Sequence, residues 1–137
     1  MGIEIDHIGI AVNSLDQRTP FWVALGLIMG EDEELPNDQV IARFFSTTGE
    51  SEFPPRIELL QSTSPESPIG RFIEKRGEGI QQIAFRVENI ENTIKILQEN
   101  GVQMVDEIPR IGAHGSMIAF VHPKSTGGVL VEIVQRT

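Results

Sequence analysis

His7, Glu58, Gln82 and Glu132 are the residues of this chain whose types and spacing could do chemistry. An imidazole, an amide and two carboxylates are nitrogen and oxygen donors, a set suited to a divalent cation such as Co²⁺, Mn²⁺, Ni²⁺, Zn²⁺ or Mg²⁺ with water in its open positions. The two carboxylates could also take up and return protons. Glu58 lies between Ile57 and Leu59, and Glu132 between Val131 and Ile133. A lone carboxylate in an apolar strand is costly to bury unless it is paired or coordinates a metal. Taken singly, each of the four reads more readily as a polar strand residue facing water. Taken together they stand at repeat-related positions, and that argues for one site.

The spacing comes from an internal repeat. HIGIAV at 7–12 is matched by QIAFRV at 82–87, and the glycine stops Gly26-Leu27 and Gly101-Val102 keep the same offset of 75 residues. IELLQ at 57–61 is matched by VEIVQ at 131–135. Periodicity gives each copy a strand, a helix and three strands. The first copy predicts strands at about 4–12, 28–33, 39–47 and 56–62, with a helix from Ser14 to Leu25. The second predicts strands at about 79–87, 103–107, 116–122 and 128–135, with a helix over 90–99. Ser67-Pro68 caps a short linker helix that ends at Gly77. The modules then run over about 3–64 and 79–137, with the linker at about 67–77. Neither copy covers both faces of a four-stranded sheet alone, so one α+β domain is expected.

Strand parity sorts the side chains. Ile8, Ile10 and Val12 form the face that packs on a helix, leaving His7, Gly9 and Ala11 on the other; Ile83, Phe85 and Val87 do the same, leaving Gln82, Ala84 and Arg86. Gln82 thus stands where His7 stands, and small neighbours leave room beside both. His114, in IGAHGS, and Lys124 with Ser125, in HPKSTGG, are candidate contacts for an anionic substrate group, against the alternative of plain hairpin turns. His122 reads as structural. The acid run Glu31-Asp32-Glu33-Glu34 reads as a solvated loop or as protection of a sheet edge, and Phe21 and Trp22 as core or subunit interface.

Composition excludes several classes. The 137 residues amount to one domain, and 11 Lys plus Arg against 20 Asp plus Glu give a net charge of −9. That charge disfavours nucleic acid and anionic membranes as partners. There is no cysteine, hence no thiolate metal site and no cysteine nucleophile. With neither a signal-peptide pattern nor a long apolar run, a cytoplasmic location is expected. Phosphate-loop, dinucleotide and Ser-His-Asp signatures are absent from the sequence.

DHIGIAV at 6–12, ELLQ at 58–61, SPIGRFIEKRGEGI at 67–80, IAFRVENI at 83–90, PRIGAHG at 109–115 and HPKSTGGVLVE at 122–132 together resemble the vicinal oxygen chelate superfamily, and within it the methylmalonyl-CoA epimerases. The resemblance implies paired βαβββ modules forming a cupped mixed sheet around a metal-binding cleft, with ligands at His7, Glu58, Gln82 and Glu132. It implies proton transfer at the carbon between a thioester and a carboxylate of an acyl-CoA substrate, Glu58 and Glu132 acting on opposite faces, in a homodimer. Gln82 departs from the family pattern, which usually has histidine there, and Ala42 stands where some members carry a further glutamate base. Two rival expectations remain on the same fold: a glyoxalase I-like lyase acting on a thiol hemithioacetal, and a metal-free small-molecule binding protein.

Overall fold

The computed structural model describes residues 2–48 and 55–136; Thr137, the expected end of the second module, lies outside them. The chain divides into two compact units, one comprising His7–Gln81 and the other the start of the chain through Asp6 together with the residues from Gln82 onward. Both are βαβββ, so the fold is α+β as the periodicities predict.

The first unit contains most of β1 (Glu4–Val12), then α1 (Leu15–Leu25), β2 (Ile28–Leu35), β3 (Val40–Ser46), β4 (Arg56–Ser62) and the linker helix α2 (Pro68–Arg76). Its strands lie in the order β2-β3-β4-β1, parallel between β1 and β4 and antiparallel elsewhere. The second unit takes β5 (Gly79–Arg86) from Gln82, then α3 (Ile90–Glu99), β6 (Arg110–Ile111), β7 (Met117–Val121) and β8 (Val131–Gln135). Its order is β5-β8-β7-β6, with β5 and β8 parallel.

The repeat extends to individual hydrogen bonds. Gln61 Oε1 accepts from Leu15 N at 2.8 Å at the start of α1, and Gln135 Oε1 accepts from Ile90 N at 2.8 Å at the start of α3. Past the helix ends, Leu27 N reaches Trp22 O and Val102 N reaches Leu97 O, both at 3.0 Å, over glycines held at positive φ. Ser14, Ser67 and Asn89 each accept from a first-turn N–H of the following helix. Cores form on the helix faces: Val12, Leu15, Phe45 and Leu59 in the first unit, with Ile10 and Trp22 against them, and Ile90, Ile94, Met104, Ala119, Val121 and Ile133 in the second. Trp22 is therefore core, whereas Phe21 is exposed.

Four expectations need correction. The strand expected at 103–107 is reduced to a bridge between Met104 and Val121, and β6 forms at Arg110–Ile111 instead. The cause is Asp106, whose Oδ2 accepts from Phe120 N at 2.9 Å while Val105 N and Asp106 N share the carbonyl of Phe120, so a side chain replaces the ladder. The strand expected from 128 begins at Val131, because Gly127 and Gly128 adopt positive φ and Thr126 Oγ1 closes the turn on Val129. β2 runs two residues further than expected, to Leu35, so the acid run lies within an edge strand and not in a loop; Asp32 there pairs with Arg43 at 2.7 Å. Finally, the chain start groups with the second unit. Asp6 is fully buried and accepts from Arg136 through both oxygens at 2.8 Å and from Arg86 at 3.3 Å.

Candidate active site

Each unit buries one pair of the expected residues. In the first, His7 and Glu58 are 5% and 4% exposed, with Nε2 of the imidazole 3.7 Å from Oε1 of the carboxylate. In the second, Gln82 and Glu132 are 7% and 5% exposed, and the Gln82 amide donates through Nε2 to Glu132 Oε1 at 2.9 Å.

The strands place these pairs by register. Glu58 lies between Gly9 on β1 and Phe44 on β3; Glu132 lies between Ala84 on β5 and Phe120 on β7. Partners across a ladder share a face, so each glutamate has a small residue on its inner side and a phenylalanine on its outer side. Both rings carry a guanidinium: Arg56 Cζ is 4.8 Å from the Phe44 centroid and Arg110 Cζ is 5.6 Å from that of Phe120. Ala42 is fully buried opposite Leu60, on the Glu58 face, so β3 brings a methyl group there where a further base was in question.

The anion-contact residues are placed differently. His114 sits in an exposed turn before β7 with φ of 56°, while Lys124 and Ser125 are exposed in the turn after β7. They stand at opposite ends of that strand, roughly 17 Å of extended chain apart, and do not form one cradle. Ser125 Oγ accepts from Gln103 N at 2.8 Å, and His122 Nδ1 accepts from Lys124 N at 3.0 Å, which makes His122 structural as expected.

Away from the pairs, two carboxylates are held below the usual range. Arg18 and the backbone N–H of Asn13 do this to Glu78, and the Arg43 guanidinium does it to Asp32. Sequence reasoning passed over Arg56, a cation only 4% exposed. The available signal was its parity with Glu58, two residues on.

A family model described as glyoxalase/bleomycin resistance protein/dioxygenase superfamily matches residues 6–120. The chain belongs to that superfamily. Among relatives of this superfamily member is the uncharacterized protein YqjC of Bacillus subtilis, 36% identical over 132 residues, which are 96% of this chain and 91% of that protein. A solved structure of methylmalonyl-CoA epimerase from Mycobacterium tuberculosis is 35% identical, covering 97% of this chain and 87% of that one, with a TM-score of 0.90. A Streptomyces coelicolor methylmalonyl-CoA epimerase solved in complex with 2-nitronate-propionyl-CoA is 32% identical, covering 97% and 96%, also with a TM-score of 0.90. No helix among the described residues is long and apolar enough to cross a membrane.

Proposed function

We propose that this superfamily member is an isomerase that interconverts (2R)- and (2S)-methylmalonyl-CoA by moving the proton at C2. The observation that carries the reading is the pair of buried glutamates at equivalent positions, Glu58 beside the His7 imidazole and Glu132 accepting from the Gln82 amide. Its similarity to epimerases over nearly the whole chain supports the substrate class.

A proton next to a thioester is weakly acidic, and inverting the carbon needs one base on each face. Glu58 and Glu132 are the proposed bases, one removing the proton and the other returning it. His7 and Gln82 stand beside the carboxylates and orient them, and Phe44 and Phe120 are their cross-strand neighbours on the same face. Ala42 offers no base, so the two glutamates carry the proton traffic.

The donor types suit a divalent cation, an imidazole nitrogen with a carboxylate in the first unit and a carboxylate with, once Gln82 is turned, an amide oxygen in the second, while among the described residues no three His, Asp or Glu side chains gather into a group that could hold an ion. His7 with Glu58 and Gln82 with Glu132 are the proposed ligand pairs, and metal titration decides whether both serve one ion. Held there, such a cation would supply Lewis-acid stabilisation of the enolate charge. His114, Lys124 and Ser125 are proposed contacts along the extended CoA moiety, at separate points. The same reading carries a single-domain, homodimeric, cytoplasmic protein, which sedimentation and fractionation check.

The test is solvent exchange. In D₂O with Co²⁺ or Mn²⁺, methylmalonyl-CoA is expected to gain deuterium at C2 at a rate proportional to enzyme; no exchange with any divalent ion overturns the proposal.

A further inference from the structure

α1 differs from its counterpart in the second copy on the side turned to water. The offset of 75 residues sets Lys95, Gln98, Glu99, Asn100 and Gln103, all exposed on or just past α3, against Pro20, Val23, Ala24, Leu25 and Ile28. Those five are exposed as well, and so are Phe21 and Met29. From Thr19 to Gly30 the chain carries no charge. A unit of this architecture therefore folds with a polar helix back, and the apolar back of α1 answers to something other than folding.

The patch is built for docking. Phe21 is 62% exposed, yet its ring meets Trp22 edge to face at 5.1 Å, and Trp22 packs on the core of the first unit. An outward ring braced from behind is an anchor that loses little freedom when a partner covers it. Leu25, one turn on, is equally exposed. The bond from Leu27 N to Trp22 O returns the chain past the glycine stop and keeps Ile28 and Met29, the start of β2, beside the helix end. The two charges of α1, Asp16 and Arg18, lie in its first turn and are already paired with Arg43 and Glu78.

We infer that this face binds the same face of a second copy of the chain. Phe21, Val23, Leu25, Ile28 and Met29 are each about half exposed or more, which at roughly 150 to 200 Å² per large side chain leaves on the order of 500 Å² of apolar surface in water. A standard interface takes about 800 Å² from each partner, about two-thirds of it apolar in homodimers, so the patch supplies the apolar part of one such interface. Copies that each carry a net charge of −9 repel one another, and an uncharged face is where they meet at least cost. A twofold axis sets α1 against α1 and needs no second patch. The inference rests on the homodimeric part of the reading above, adds the face that makes the dimer, and is independent of the reaction.

Sedimentation velocity over a concentration series reads the dimer, and circular dichroism the fold. Wild type is expected to be dimeric at micromolar concentration, and Phe21→Glu to raise the dimer Kd by about 30-fold or more, the loss that follows removal of an interface anchor. Leu25→Asn, which gives α1 the residue found at the equivalent place after α3, is expected to weaken the dimer with unchanged melting. Because the chain has no cysteine, Ala24→Cys creates a single thiol within the patch and Glu99→Cys a single thiol at the equivalent place on α3. A short bismaleimide is expected to link Ala24→Cys into a covalent dimer and to leave Glu99→Cys unlinked, which serves as the reading if Phe21→Glu does not fold. A wild type that stays monomeric at high micromolar concentration overturns both the dimer and the face. A dimer that Phe21→Glu leaves intact, or equal cross-linking at both positions, overturns the α1 face and leaves the dimer standing.

Discussion

Replacing Gln82 by glutamate tests the geometry of the second buried pair. The side chains are nearly isosteric, so Gln82→Glu sets a second carboxylate against Glu132, where the amide now donates across 2.9 Å. At that separation and an effective dielectric near 20, two negative charges repel by about 6 kcal/mol, and relaxation by an ångström or two leaves about 3 to 4. One proton is then retained by the pair, and its upper ionisation rises above the ordinary glutamate range. A folded-state pKa raised above the unfolded value means that the folded state binds more protons. The variant is therefore close to wild type below about pH 4.5, where the acid's O–H replaces the amide donor, and it loses stability as pH rises towards the raised pKa. The expected deficit at pH 8 is about 3 to 4 kcal/mol, the repulsion that remains after relaxation. Urea denaturation of both proteins between pH 4.5 and 8 measures it. A deficit that is the same at both ends of that range would refute the pairing. Because a dication neutralises added carboxylate charge, millimolar Mn²⁺ is also expected to recover most of the loss at pH 8 in the variant.

Three shorter predictions accompany it. Gln82→His is expected to tighten Co²⁺ about 10-fold by titration of the apoprotein, while His7→Ala and Glu132→Ala abolish binding; equal affinity in wild type, Gln82→Ala and Gln82→His would remove Gln82 from the ligand set. Ser67→Ala removes the acceptor of Gly70 N at 2.9 Å and leaves a fully buried cap empty, at about 1 to 2 kcal/mol in chemical denaturation. Asp32 and Glu78 are held below the usual carboxylate range by Arg43 and by Arg18 with Asn13 N; the stability they lend is present above the unfolded carboxylate pKa and is lost as pH falls through their lowered values. Arg43→Met is thus expected to flatten the acid limb of the stability profile while changing stability at pH 7 by no more than about 1 kcal/mol, since these pairs are partly exposed.

Much of this architecture is legible in the chain because the same instructions occur twice. Ser14 and Asn89 start helices, Gly26 and Gly101 stop them, and Gln61 and Gln135 reach back to the same backbone position in each copy. Parity put His7 and Gln82 on the strand faces turned away from the helices, and the β1–β4 and β5–β8 registers put Glu58 and Glu132 on those same faces. What was not legible depends on single side chains that act against the local pattern. The strand expected at 103–107 gives way because Asp106 spends its carboxylate on Phe120 N. The acid run was legible as strand as far as Glu33, and pairing with β3 carries β2 on through Glu34 to Leu35. Arg56 escaped notice because a lone arginine in a strand usually means a wet face, and only burial shows otherwise.

The central claim is that Glu58 and Glu132 act as bases on opposite faces of one carbon. It is tested most directly by supplying a single methylmalonyl-CoA epimer in D₂O and following both C2 deuteration and inversion in wild type, Glu58→Gln and Glu132→Gln. The account predicts that wild type inverts with deuterium incorporation, and that each variant ceases to invert while one of them still exchanges the proton of one epimer. Full inversion in both variants would contradict it.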